Sequence, residues 1–279
     1  MSNGRRWLIR IVAAGLLCVL AWSLTRPEGV GGGGYFTGEA FATRYHVTYA
    51  NGPDPATVKR AVDAELMRID ALASTWREDS ELMRYIRAED PAGFKLSPEL
   101  ASLIDQAEAI EAQTGGAFNP RPRGDAIDLS AIAKGYAVDR VVDLLWREYG
   151  IEDCLVDIGG EVRASGDRSG MQGWRVGVYL PGDHAGIDPP VFQLRDASVA
   201  TSGAYFKGGH ILDPATGQPV ENNLLSVSVV YADTATADAL ATALYVMGAE
   251  RGMAWAREHG VRAIFLLDDG QRLETDPTP

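Results

Sequence analysis

The first 34 residues differ in composition from residues 35–279, and the two parts are not expected to share one hydrophobic core. Residues 11–24 are apolar except for Ser23, and the first 26 residues contain four arginines and no acid. Residues 27–34 read PEGVGGGG, which predicts a flexible tether because glycine leaves the backbone free and offers no side chain to pack. Folding is therefore expected to start near Tyr35, and residues 35–279 suffice for one domain with a sizeable core.

The apolar segment predicts that the rest of the chain crosses a membrane. A spanning helix needs about 20 apolar residues, so residues 1–26 fit either a signal peptide or an N-terminal membrane anchor. The sequence Ala21-Trp22-Ser23 offers a cleavage site with small residues at both ends. Both alternatives export residues 35–279, because the arginines stay on the cytoplasmic side.

Charge and cysteine content exclude several classes of function. The chain carries a net charge of −12, and loss of the four N-terminal arginines would make it about −16. Such an acidic body does not suit nucleic acid, whereas it is compatible with a divalent cation. Only Cys154 lies outside the apolar segment, so an intrachain disulfide and a thiol-pair redox site are excluded. The four histidines lack zinc-finger spacing.

Hydrophobic periodicity predicts an α+β fold, with layered mixed sheets and helices in a single domain. Asp54 or Thr57 is expected to cap the first helix, Ser97 the second and Ser130 the third, and Gly150 to end the third. No internal repeat and no G-x-G-x-x-G motif is present. Helices are predicted at residues 54–74, 97–116, 128–150, 234–248 and 249–260, and strands at 35–50, 154–166, 174–181, 198–203, 224–232 and 261–270.

One acid, Asp238, lies inside the small apolar run TATADALATAL, and Thr242 follows four residues later. On a helix these two side chains share a face, with Cβ atoms roughly 5–6 Å apart. Two oxygen ligands without nitrogen or sulfur suit Mg²⁺. The alternative is that Asp238 only caps the helix or interacts with its dipole.

Other segments are compatible with anion or ligand binding. Lys134, near the start of the third helix, is placed either to reach an anion at the helix N-terminus or to point into solvent. Glycine-bearing turns at TGGAFN, DIGGE and ATSG would allow backbone to approach a ligand, although each is also an ordinary turn. His210 lies in a glycine-rich turn and would titrate near neutral pH.

Taken together and in order, the segments ASTWREDSEL, TGGAFN, IDLSAIAKGYAVD, LVDIGGEVRASG, VATSG, HILDPATGQPV and ADALATALYVMG resemble the ApbE-type flavin transferases. The resemblance covers roughly residues 35–270. It implies an ApbE-like, T-fold-like catalytic domain in the bacterial cell envelope, on the periplasmic side of the inner membrane. It also implies transfer of FMN from the substrate FAD to a threonine or serine of a target flavoprotein, with Mg²⁺ bound and AMP released.

The resemblance assigns roles residue by residue. It implies a target that is a subunit of a membrane redox complex. His210, a possible proton acceptor, and Asp238 are the implied catalytic residues. The implied metal ligands are Ala131 through its backbone oxygen, Asp238 and Thr242. The implied FAD-binding residues are Phe41, Trp76, Ala117, Phe118, Asn119, Asp128, Lys134 and Leu212, with Phe41 and Trp76 able to sandwich a ring.

Two segments and two short motifs depart from the family pattern. The segment between Asn119 and Asp128 is several tens of residues shorter than usual, and the stretch between ATSG and HILDP is also short. The usual MGT reads Phe41-Ala42-Thr43, and the frequent aspartate after SG is Ala204. A trimmed flavin site would be more open to water. Two alternatives therefore stay open beside transfer: an FAD pyrophosphatase that yields FMN and AMP, and a non-catalytic protein that binds or delivers FAD.

Overall fold

The computed structural model describes residues 32–91, 93–122, 124, 126–168, 170–179, 187–203 and 211–275. The predicted signal peptide or anchor, most of the glycine tether, and His210 lie outside these ranges. Within them, no helix is both long and apolar enough to cross a membrane.

An eight-stranded sheet forms the centre of the described structure. Its strand order is β1-β2-β3-β4-β7-β8-β9-β10, and every pairing in it is antiparallel. Strands β5 and β6 pair with each other in a second, small sheet. The strands are β1 (Gly34–Ala40), β2 (Thr43–Tyr49), β3 (Cys154–Ile158), β4 (Glu161–Ser165), β5 (Trp174–Gly177), β6 (Val191–Leu194), β7 (Ala197–Gly203), β8 (Leu224–Tyr231), β9 (Arg262–Leu267) and β10 (Arg272–Thr275).

Helices cover one face of the large sheet, and the small sheet covers part of the other. One core cluster joins α1 and α4 to β1, β2 and β3, and another joins α3 and α5 to β8 and β9. In a third cluster, β5 and β6 pack against buried residues on the face of the large sheet that lies opposite the helices. The α+β prediction is confirmed. The helices are α1 (Pro55–Ala73), α2 (Glu81–Ile86), α3 (Pro98–Gln113), α4 (Ala133–Tyr149) and α5 (Thr234–Glu258).

Local sequence signals place most helix ends correctly. Asp54 caps α1, and Ser97 caps α3 by accepting a hydrogen bond from Leu100 N at 3.2 Å. Gly150 ends α4 in the left-handed conformation, with φ of 62°. The two helices predicted at 234–260 form one element, α5, which is broken at Gly248, where φ is 76°.

Two segments predicted as single strands are hairpins. Residues 35–50 contain β1 and β2, joined by the two-residue turn Phe41-Ala42, and residues 154–166 contain β3 and β4, joined by Gly159-Gly160. The first turn lacked a sequence signal because hairpins of this kind usually carry Asn-Gly or Asp-Gly. Phe41 and Ala42 have φ of 51° and 56°, which is a strained conformation for residues that carry a Cβ.

This strain predicts that Ala42→Gly stabilises the protein. Ala42 is exposed, so the substitution removes little packing, while glycine adopts a positive φ without steric cost. We expect the free energy of unfolding to rise by about 0.5–1 kcal/mol in urea denaturation.

The control is Ala64→Gly, at an exposed interior position of α1, which should lower the free energy of unfolding by about 1 kcal/mol. If the two substitutions destabilised the protein equally, the turn would not be strained.

Candidate active site

Two turns and the start of α4 meet at one end of the sheet. The amide of Gly159 donates to the carbonyl of Arg44 at 3.1 Å, which ties the β3–β4 turn to the β1–β2 hairpin. A Cβ at Gly159 would lie 2.8 Å from Cγ2 of Thr43, and its φ is 68°. Only glycine fits here, so the Gly159-Gly160 turn is built for close approach of the Phe41-Ala42 hairpin.

The backbone amides at the N-terminus of α5 donate hydrogen bonds to the carboxylates of Asp139 and Asp233, and not to that of Asp238. Asp233 is the N-cap residue. The two oxygens of Asp139 on α4 accept from the amides of Thr234 and Ala235 at 2.9 Å each. Asp238 lies beyond the first turn, so the interpretation of Asp238 as the cap of its own helix is wrong.

The carboxylate of Asp238 instead contacts the start of the neighbouring helix. Its Oδ2 accepts from the amide of Gly135, in the first turn of α4, at 3.1 Å. No side chain caps α4 at its N-cap position, so the prediction of Ser130 as the cap is wrong. A Cβ at Gly135 would overlap the carbonyl oxygen of Thr234 and lie 2.8 Å from Cα of Ala235. Glycine is therefore what allows α4 and α5 to approach closely enough for this contact.

Asp238 and Thr242 lie four residues apart on α5, which puts their side chains on one face of that helix. Asp238 is 4% exposed, and its Oδ1 makes no hydrogen bond with the described residues. The hydroxyl of Thr242 lies 3.0 Å from that of Ser202, at the end of β7. A carboxylate oxygen without a described partner, one helical turn from a threonine hydroxyl, has the chemistry of the oxygen ligands that Mg²⁺ prefers. Across the described ranges, no three His, Cys, Asp or Glu side chains are grouped as a metal site.

Lys134 forms a charge pair with Glu161, a residue that the sequence analysis did not single out. Its Nζ lies 2.5 Å from Oε1 of Glu161, which projects from the first position of β4. The Glu161 side chain is 4% exposed, and its Oε2 is buried without a hydrogen-bond partner. The solvated-lysine alternative is therefore wrong for Lys134.

Burial and the charges of neighbouring residues shift the pKa values of Asp238, Glu161 and Lys134. Burial raises the pKa of Asp238, while Lys134 and the Gly135 amide act in the opposite direction. Burial likewise raises the pKa of Glu161, opposed by Lys134. For Lys134, burial favours the neutral amine, but the carboxylates of Asp238 and Glu161 outweigh it and raise its pKa. Lys134 is thus a cation held among acids.

The two aromatic residues expected to sandwich a ring are not in contact with each other. Trp76 is 91% exposed and follows Thr75, whose hydroxyl lies 3.4 Å from that of Ser130. Phe41 is half-buried against the α1–α4 core. Trp76 therefore lies near the loop that precedes α4, with its ring in solvent. No contact of Trp76 with the ring of Phe41 is present in the part of the chain described.

The motifs TGGAFN and IDLSAIAKGYAVD are separated by only a short segment, residues 120–126. Phe118 is buried in the core, so its neighbours offer backbone and polar atoms to a ligand more readily than its ring does. The amide of Asp128 donates to the carbonyl of Pro120 at 2.7 Å, and Oδ1 of Asn119 accepts from the amide of Arg121 at 2.6 Å. The first of these bonds places Asp128 beside Pro120, and therefore near Asn119.

For the remaining predicted site residues, the structure gives the burial and a few neighbours. Ala117 is buried beside Phe118, and Ala131 is partly buried in the turn before α4. Leu212 is half-buried and forms an isolated bridge with Pro219 that closes the Pro-Ala-Thr-Gly turn. His210 lies outside the described residues, so its predicted role stays a prediction.

Sequence reasoning missed the partners of the residues that it found. Glu161 and Ser202 lie in DIGGE and ATSG, motifs that were noted only for their glycines. An acid that follows a glycine pair at the start of a strand was the available signal for Glu161. No local signal pairs Ser202 with Thr242 or Asp139 with the start of α5, because these contacts join distant parts of the chain.

Comparison with known proteins finds one matching family model and similar chains of known structure. A family model described as the ApbE family matches residues 41–123 and 121–265, two parts that meet in the shortened segment. An FAD:protein FMN transferase of Vibrio cholerae is 30% identical, and the alignment covers 95% of each chain. The solved structure of the flavin transferase ApbE from Vibrio cholerae matches with a TM-score of 0.78 and 29% identity, over 87% of this chain and 97% of that one. The apo form of the flavinyl transferase ApbE of Pseudomonas stutzeri gives a TM-score of 0.77 and 29% identity, over 87% and 94%.

The contact between α4 and α5 predicts that Gly135→Ala destabilises the protein. The new methyl group must separate the helices or displace backbone, so we expect a loss of about 1–3 kcal/mol in the free energy of unfolding. Urea denaturation followed by circular dichroism measures this change.

The matched control is Gly177→Ala in β5, where an added Cβ would meet no atom within 4 Å. That variant should stay within about 0.5 kcal/mol of the wild type. An equal effect of both substitutions would contradict the close-packing argument.

Proposed function

Because the chain belongs to the ApbE family, we propose that it transfers FMN from FAD to a threonine or serine hydroxyl of a target flavoprotein, in a Mg²⁺-dependent reaction that releases AMP. The chain is an enzyme, an FAD:protein FMN transferase, as are its named relatives. The observation that carries the finer proposal is the position of Asp238 and Thr242 beside Lys134 and the start of α4.

The residues present fit a bound Mg²⁺. Asp238 and Thr242 would supply side-chain oxygens, and the backbone oxygen of Ala131, in the turn before α4, would be the third protein ligand. When bound, such an ion neutralises charge on diphosphate oxygens and polarises them. Few protein ligands are needed, because Mg²⁺ retains several waters and substrate oxygens.

The chain itself supplies two features that suit a diphosphate. The helix dipole of α4 favours an anion near its start, although the amides of Ile132, Ala133 and Gly135 already donate to partners within the protein. Lys134 lies in the same first turn, and its raised pKa keeps it charged at neutral pH. Gly135 lacks a side chain that would keep α5 away. Phosphoryl transfer depends mainly on such positioning and charge neutralisation.

The proposed reaction forms one phosphoester bond and breaks one anhydride bond. The target hydroxyl oxygen attacks the phosphorus on the FMN side of the FAD diphosphate. The bond between that phosphorus and the bridging oxygen breaks, and AMP leaves with the electron pair. The hydroxyl proton passes to His210, which we propose as the acceptor. Phe41, Trp76, Asn119, Asp128 and Leu212, together with the segment around Phe118, are proposed to bind the FAD.

The proposed setting is the bacterial cell envelope. The arginine-flanked apolar segment at residues 1–26 supports export to the periplasmic side of the inner membrane, with the chain anchored or cleaved. The target would be a flavoprotein subunit of a membrane redox complex, exposed on the same side.

Product analysis distinguishes transfer from the two alternatives. The full chain is incubated with FAD, Mg²⁺ and a purified envelope flavoprotein that carries a candidate threonine, and in parallel with the Thr→Val variant of that target. Fluorescent labelling of the threonine-bearing target, with an equal amount of AMP, is the expected result. AMP without labelling of either target would identify a pyrophosphatase, and bound FAD without either product would identify a binding protein.

Asp238→Asn is predicted to lower the rate of AMP formation by about 100-fold or more, because a bound metal supplies several kcal/mol of charge stabilisation. The asparagine oxygen still accepts from the Gly135 amide, so the thermal midpoint should change little. The rate is measured by chromatography of AMP.

The matched control is Asp105→Asn, which removes the same charge from an exposed position of α3 and should leave the rate unchanged. Undiminished AMP formation by Asp238→Asn would disprove the metal assignment.

A further inference from the structure

The pair formed by Glu161 and Lys134 is not explained by fold stability. Glu161 is buried, and Lys134 is the one described residue that its carboxylate contacts within hydrogen-bond distance. Its second oxygen is buried without a partner, which is costly for a carboxylate. A buried ion pair of this kind is often no more stable than uncharged residues of similar shape. A role in the site is the better explanation.

Lys134 has three acids within its electrostatic reach, Asp238, Glu161 and Asp157, and among the described residues it forms an ion pair only with Glu161. Both Glu161 and Asp238 raise its pKa, yet its ammonium group lies against Glu161, and no ion pair with Asp238 within 4 Å is present in the described structure. The lysine side chain is flexible, with four methylene groups, so its position depends on what holds its end. Without the Glu161 charge, Asp238 would be the strongest remaining attraction for the ammonium group.

We propose that Glu161 is a positioning residue that holds the ammonium group of Lys134 away from Asp238, which leaves the Asp238 carboxylate available to a divalent cation. The inference rests on the proposed function, because it concerns the same cation. Glu161, at the start of β4, is almost fully buried and holds the Lys134 ammonium group at 2.5 Å, while the Lys134 side chain stays 30% exposed. One carboxylate thus holds the lysine while the other holds the metal.

Cation binding tests this separation without relying on catalysis. The full chain is titrated with Mn²⁺, in place of Mg²⁺, and free Mn²⁺ is measured by electron paramagnetic resonance, with and without ADP as a non-reacting diphosphate. In Glu161→Gln the ammonium group is released to Asp238, and we expect the Kd for Mn²⁺ to rise about tenfold, which corresponds to a competing ion pair of about 1.4 kcal/mol.

A double-mutant cycle separates positioning from the simple loss of a negative charge. Lys134→Met removes the competitor, so adding Glu161→Gln to it should leave the Kd for Mn²⁺ unchanged. If Glu161 acted only through its own charge, the substitution would weaken binding equally in both backgrounds, and the inference would be overturned.

Two controls address fold and general charge. Glu65 is also largely buried and is ion-paired with Arg68 at 2.8 Å, but it lies on α1. Glu65→Gln should leave Mn²⁺ binding unchanged. Glu161→Gln should unfold at nearly the wild-type temperature; a large drop in that temperature with unaltered Mn²⁺ binding would show a structural role and contradict the inference.

Asp238→Asn distinguishes failure of this inference from failure of the proposed function. If the wild type binds no Mn²⁺, or binds it as Asp238→Asn does, the metal site itself is wrong and the inference fails with it. If Asp238→Asn abolishes binding while Glu161→Gln leaves it unchanged, only the role given to Glu161 is disproved.

Discussion

The close approach of α4 and α5 at Gly135 is the contact on which the rest of the site depends. At this point each helix satisfies backbone amides at the start of the other: Asp238 of α5 accepts from Gly135, and Asp139 of α4 accepts from Thr234 and Ala235. Free amides at a buried helix start are costly, so this reciprocal capping fixes the relative position of the two helices. A side chain at position 135 would separate them.

This packing also determines what the acidic residue can do. One oxygen of Asp238 is used by the Gly135 amide, while the other makes no hydrogen bond with the described residues and lies one helical turn from Thr242. A carboxylate oxygen in this position has the chemistry of a Mg²⁺ ligand. The Glu161–Lys134 pair lies beside it, so the site combines a fixed lysine with a fixed carboxylate.

Periodicity and capping signals predicted most of the elements, because they act within a few residues of the chain. The predicted caps Asp54 and Ser97, the terminator Gly150 and the break near Gly248 are all present. The hairpin at Phe41-Ala42 escaped prediction because its turn lacks the usual glycine or asparagine. The start of α4 was misassigned to Ser130 for a different reason: its capping carboxylate comes from a residue about a hundred positions later.

The sequence by itself determined the family, the α+β class, and the position of Asp238 and Thr242 on one helix face, because motif order, periodicity and i,i+4 spacing are properties of the chain alone. Only the tertiary structure decided that Asp238 caps α4 and not its own helix, that Lys134 is held by Glu161, and that Ser202 meets Thr242. These contacts join segments far apart in the chain, and they exist only because a glycine lets two helices pack closely against one antiparallel sheet.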